Sequence, residues 1–169
     1  MGSFSRLRYV IAANVNSLLE KAEDPEKLLR ALIRDMEDAT EDARLASADL
    51  LAEQAHLQRM KDRFEREITE WDARAEKSVA TNRDDLARTA LKAKAELEHA
   101  LHSANSESES LDTRITQLEF DMATLKNKLA EAKTKLKDIT MRKSSSAKVH
   151  AGQAEKSLSP GERKVRRAM

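Results

Sequence analysis

Residues 111–139 read LDTRITQLEFDMATLKNKLAEAKTKLKDI, and this stretch decides the fold. Leu111, Ile115, Leu118, Met122, Leu125, Leu129, Ala132, Leu136 and Ile139 recur at steps of four and three residues. A mean period of 3.5 keeps them on one stripe of a helix and is the period of a left-handed coiled coil. Upstream, Ala90, Leu97, Leu101 and Ala104 extend the stripe. A second stripe precedes it: Leu29, Leu32, Met36, Ala39, Ala43, Ala46 and Leu50, then Leu57, Phe64 and Trp71. Only the polar break Thr81-Asn82-Arg83-Asp84-Asp85 separates the two. Folding there buries both stripes against each other, which predicts an all-α, long antiparallel coiled-coil hairpin over residues 24–143 with its turn near 81–85. At 1.5 Å per residue, helices of about 55 residues are each about 80 Å long. The register places Leu50 near Ile115, Leu29 near Leu136, and Trp71 near Lys94 and Leu97. The predicted hairpin core is Leu29, Leu32, Met36, Leu50, Leu57, Phe64, Trp71, Leu97, Leu101, Leu111, Leu118, Met122, Leu125, Leu129, Leu136 and Ile139.

Composition agrees with burial along seams. Charged residues make up 36% of the 169 and aromatics 3%, with three Gly, two Pro and no Cys. So few large side chains cannot fill a compact core. Without cysteine, disulfides and thiolate metal sites are excluded. No apolar run approaches the ~20 residues that span a bilayer, and charges and Asn break up the apolar start that a secretory signal needs. The expected compartment is the cytoplasm. The net charge of +1 hides an asymmetry. Residues 1–22 carry Arg6, Arg8 and Lys21 against Glu20, and residues 142–169 carry eight Lys or Arg against Glu155 and Glu162. Ends of +2 and +6 on a chain of +1 leave −7 between them. Basic ends on an acidic hairpin point to an anionic surface as partner of the ends.

Residues 1–23 form the first predicted segment, an amphipathic helix. Phe4, Leu7, Ile11, Val15, Leu18 and Ala22 recur at helical spacing, with Val10 and Leu19 widening the stripe and Arg6, Asn14, Asn16, Ser17 and Lys21 opposite. A helix of this kind lies in the lipid interface with its apolar side sunk ~5–10 Å. The candidate membrane-binding residues are Phe4, Arg6, Leu7, Arg8, Ile11, Val15, Leu18 and Leu19. Packing on the hairpin or on another chain is the competing reading of the same pattern. Asp24 suits an N-cap and Pro25 the first helical position, so the long helix begins there.

Irregularities in the stripes mark weak packing, not chemistry. Beyond Leu50, Glu53, Met60, Glu67 and Arg74 fall at one of the two seam positions of the first helix, and the apolar line drifts to Ile68, Ala75 and Val79. Residues 103–110, rich in Ser and Asn, should be the softest part of the second helix. His99 and His102 beside Glu98 read as a solvated face, because nothing converges on them to complete a metal site. Trp71 continues the apolar stride and reads as core. No nucleophile, phosphate loop or spaced carboxylate pair stands out. The sequence therefore predicts no enzyme, no catalytic residues, no metal and no cofactor.

Met1-Gly2-Ser3-Phe4-Ser5-Arg6, Leu19-Glu20-Lys21-Ala22-Glu23-Asp24-Pro25, Met36-Glu37-Asp38, Trp71 and Asp85-Leu86-Ala87-Arg88 resemble the phage shock protein A and plastid vesicle-inducing family, itself similar to ESCRT-III proteins. The likeness covers residues 1–143. It implies an amphipathic start that binds stressed or anionic membrane, a coiled-coil hairpin, and self-assembly into rods or rings that maintain or remodel the bacterial inner membrane from its cytoplasmic face. In some bacteria the hairpin of this family also inhibits an AAA+ transcription activator. Arg44 resembles the family arginine that pairs with acids during assembly. Lys126 stands where its acidic partner is expected and leaves Glu131 as the nearby acid. Family members usually continue for about two more helices.

Residues 144–169 are predicted to be a flexible basic tail. Ser144-Ser145-Ser146 ends the periodic region, Pro160-Gly161 breaks any helix, and Arg163, Lys164, Arg166 and Arg167 form a basic cluster. With no interleaved aromatic, the cluster favours anionic lipid or an acidic hairpin over nucleic acid. The expected partners are thus anionic membrane lipids, further copies of the chain and, through the resemblance, an AAA+ activator.

Overall fold

The computed structural model describes residues 3–157, with side chains described for residues 5–153. Four helices follow in order: α1 (Ser3–Ala12), α2 (Val15–Glu20), α3 (Pro25–Ala80) and α4 (Asp84–Ser157). Helices α3 and α4 pack against each other as the hairpin that the two stripes predict.

Local chemistry sets the ends of α3. The Asp24 carboxylate accepts from the Lys27 amide at 3.1 Å, Pro25 fills the first helical position, and Glu26 lies in the first turn. At the far end Asn82 has φ 54°. Its amide donates to the Val79 carbonyl at 3.0 Å and the Arg83 amide to the Ser78 carbonyl at 2.8 Å. These two bonds and one left-handed residue make a Schellman stop. Asp84 and Asp85 then start α4, at the positive end of its dipole.

The chain divides into two compact units, one of Met1–Thr40 with Thr124–Met169 and one of Glu41–Ala123. In the second unit, Lys94 reaches Asp72 at 2.5 Å, Gln54 donates to Asp112 at 2.6 Å, and Arg114 lies 4.0 Å from Glu53. In the first, Lys133 pairs with Glu37 and Lys143 with Glu26, both at 2.9 Å. In the second unit these partners match the expected antiparallel register to within a turn of helix. In the first, Lys133 and Lys143 lie four to five residues further along α4 than a register with Leu29 near Leu136 places them.

Leu29, Leu32, Met36, Leu50, Leu57, Leu111, Leu118 and Leu125 are buried. Phe64, Trp71, Leu97, Leu101, Met122, Leu129, Leu136 and Ile139 are half-buried. The Arg74 guanidinium stacks over Trp71, 4.5 Å from its centroid. One detail of the sequence reading is corrected: the α3 seam does not drift. Its second line runs from the start as Ile33, Thr40, Ser47, Gln54, Lys61, Ile68 and Ala75, all buried or half-buried. Of the residues expected in the seam, Glu53, Arg74 and Val79 are exposed. Leu32 and Ala39 are buried beside that line in the first unit only. A helix with one partner buries one stripe, so this wider face requires a third layer.

Two further expectations change. The N-terminal segment is not one helix: it breaks at Ala13-Asn14, and Asn14 caps α2 by accepting from the Ser17 amide at 3.2 Å. The side chain of Asn competes with the helical backbone and wins here. At the other end, α4 runs through the expected boundary at 143 to Ser157. Ser144 and Ser145 turn their hydroxyls back onto the Met141 carbonyl at 2.8 and 3.0 Å, so the serine run continues the helix instead of ending it. Residues 141–153 of this extension are exposed. The cluster Arg163, Lys164, Arg166 and Arg167 lies outside the described residues.

Candidate functional site at the N-terminal helices

Spacing places Leu7, Val10 and Ile11 on one face of α1. Leu7 and Val10 are 2% and 1% exposed, and Ile11 is half-buried. A ten-residue helix cannot bury its own side chains to this degree, so the apolar face of α1 is packed against the rest of its unit, which contains the start of α3 and the second half of α4. Leu32 and Ala39, buried beside the seam, belong to the same unit. Arg6 and Arg8 are exposed, as is Tyr9. In α2, Val15 and Leu19 are half-buried and Leu18 is exposed. Phe4 belongs to α1, and its side chain lies outside the described residues.

Two α4 lysines hold the break between the short helices. Lys128 donates through Nζ to the Ile11 carbonyl and, at 3.0 Å, to the Ala13 carbonyl. Lys135 donates to the Asn16 side-chain oxygen and pairs with Glu131 at 2.6 Å. The hydrogen bond from Lys135, with a smaller coulombic contribution from Lys128, keeps the Glu131 carboxyl below the usual carboxylate range. Beside these groups lies a cavity of about 280 Å³, walled by Ala12–Asn16 on one side and Lys128, Glu131 and Lys135 on the other.

The two residues singled out for self-assembly each have an intrahelical partner. Arg44 pairs with Glu41 at 2.9 Å, which holds the Glu41 carboxyl low, and Glu131 pairs with Lys135. Sequence reasoning missed Lys128 and Lys135. Their signal was faint: they stand seven residues apart and so share one line of α4, but lysine at such spacing is commonplace on a solvated helix.

Among the described residues, no helix is long and apolar enough to cross a membrane, and no three His, Asp or Glu side chains gather as a metal site. The chain is similar to known proteins over nearly its whole length. The model of the PspA/IM30 family matches residues 2–163. The membrane-associated protein Vipp1 of Synechocystis is 33% identical over 151 residues, 89% of this chain and 56% of that protein. A phage shock protein A homolog of Deinococcus radiodurans is 30% identical over 135 residues, 80% of this chain and 60% of the relative. The chloroplastic membrane-associated protein VIPP1 of Arabidopsis thaliana is 29% identical over 148 residues, 88% of this chain and 44% of the relative. The chain thus spans about half the length of the curated relatives it matches.

Proposed function

The chain belongs to the PspA/IM30 family, and from that premise we propose that it is a peripheral membrane protein of envelope stress that binds anionic lipid through α1 and α2 and remodels or maintains the membrane as a homo-oligomer. The face of Leu7, Val10 and Ile11, with Arg6 and Arg8 exposed beside it, carries the reading. Such a face gains most of its attraction from apolar burial. The two arginines add ~1 kcal/mol each near an anionic surface. The membrane-associated names of the relatives support it, and the cytoplasmic face of a bacterial inner membrane is the surface proposed. Flotation with phosphatidylglycerol vesicles tests the reading: the full chain floats, and a chain without residues 1–22 stays at the bottom. Binding undiminished by that deletion overturns it.

Burial of Leu7 and Val10 favours a second reading, a coiled-coil scaffold in which α1 only packs on protein. The two differ in what lipid does. On the membrane reading, residues 5–20 exchange one protected state for another when vesicles are added. On the scaffold reading, limited proteolysis gives the same pattern with and without vesicles.

A further inference from the structure

The face of α1 that would enter lipid is turned inward, and the groups holding it there are cationic. The last turn of α1 contains no basic residue of its own, so its terminal carbonyls lack the positive charge that the negative end of a helix attracts. Lys128 supplies that charge from α4, on the carbonyls of Ile11 and Ala13. Two helical turns on, Lys135 holds Asn16. Both ammonium groups thus spend donors on neutral oxygens of the N-terminal helices. Among the described residues, Glu131 is the one carboxylate lining the cavity beside them, against two lysines. The same ammonium groups bond a phosphate oxygen more strongly than a carbonyl or an amide, because the acceptor is then charged.

We propose that Lys128 and Lys135 are a latch: without lipid they clamp the apolar face of α1 against the base of the hairpin, and at an anionic bilayer they exchange the oxygens of Ile11, Ala13 and Asn16 for lipid phosphates and free that face to insert. The inference rests on the membrane-binding reading of α1. Arg6 and Arg8, exposed on the outer side, make the first contact with the surface. The latch then opens where phosphate is dense, and the apolar face stays covered elsewhere. Exposed apolar surface of this kind is otherwise an aggregation hazard.

Hydrogen exchange of residues 5–20 in the full chain, together with vesicle flotation, tests the latch. In the lipid-free wild type, the amides around Leu7 to Ala13 are protected. Lys128→Ala with Lys135→Ala abolishes that protection and raises binding to uncharged phosphatidylcholine vesicles about fivefold for each hydrogen bond removed, the factor that one ordinary net hydrogen bond represents. Lys126→Ala with Lys137→Ala, exposed on the same helix, removes equal charge and does neither. Asn16→Ala, which removes only the acceptor of Lys135, gives an intermediate loss of protection. On phosphatidylglycerol vesicles the wild type loses its lipid-free protection pattern, whereas inorganic phosphate alone leaves it in place.

A latch pair that behaves like the control pair while the wild type floats refutes the latch and spares the membrane reading. A wild type that floats with no vesicle refutes the membrane reading and the exchange for lipid together. Opening by inorganic phosphate as complete as that by vesicles overturns the assignment to lipid.

Discussion

Asn82 shows how much of the hairpin turn depends on one backbone angle. At φ 54° it occupies the left-handed region, where a β-branched side chain is strained and Asn or Gly is tolerated. Asn82→Val is expected to destabilise the turn by ~1–2 kcal/mol, whereas Asn82→Gly leaves thermal stability nearly unchanged. Equal melting temperatures for the two variants would contradict this account of the stop. Asp24 works at the other end of the same helix through a single bond to the Lys27 amide. Its replacement by Ala is expected to cost ~1 kcal/mol, read as a lowered denaturant midpoint with unchanged slope. Asp24 was legible as a cap and residues 81–85 as the place of the turn, because such signals are local: Asp-Pro before a periodic run and a polar break between two stripes carry their meaning within a few positions. The left-handed angle of Asn82, by contrast, was read only from the structure. Lys128 was not legible. Its partners are more than a hundred residues away and are backbone carbonyls, which no side-chain pattern can announce.

At the scale of the element, the two lines of α3 explain which part of the coiled coil could be read and which could not. The period is fixed by Met36, Ala43, Leu50 and Leu57, seven residues apart, and that line is unambiguous. The second line could lie one residue to either side. Leu32, Ala39 and Ala46 are apolar and so pulled the reading toward themselves, although the three are not part of the continuous seam. The partly polar line of Thr40, Ser47, Gln54 and Lys61 is the true second row. The break at Asn14 was missed for the opposite reason: the apolar spacing is continuous across it, and the cap that interrupts the helix is visible only in three dimensions. The seam also gives a role to Ser108, half-buried between Ala104 and Leu111 in the serine-rich stretch. Ser103 and Ser106 satisfy their hydroxyls on the carbonyls of His99 and His102, so the stretch stays helical, but it contributes little apolar burial. Ser108→Ala is expected to stabilise the hairpin by ~0.5 kcal/mol through helix propensity, with slower amide exchange confined to residues 103–111. Faster exchange there would show that Ser108 holds the seam together and is not its weak point.

For the molecule as a whole, the ends differ in charge from the middle, and the first unit ties its strands of chain together with ion pairs sensitive to acid. Glu26 is the focus. A hydrogen bond from Lys143 of α4, then one from Arg30 on its own helix, holds its carboxyl below the usual carboxylate range. Glu131 is lowered in the same way by Lys135. A carboxyl depressed in the folded state contributes stability that is fully present above its unfolded value, about 4.3, and is lost as pH falls through the lower folded value. The partner lysine shows the converse: Glu26 raises Lys143, so its contribution is present below the ordinary lysine range and is lost as pH rises through the raised value. The pairing of α3 with α4 near Glu26 is therefore expected to hold across neutral pH and to loosen in acid below about pH 4. Glu26→Gln isolates the effect, since it keeps the shape of the side chain and removes the charge. Melting curves by circular dichroism should place the variant below the wild type at pH 7, with the gap closing in acid as the pH falls through the lowered range of the wild-type carboxyl. The absence of any gap at pH 7 would mean that the Lys143 contact stabilises through packing of its aliphatic stem and that charge at Glu26 contributes nothing.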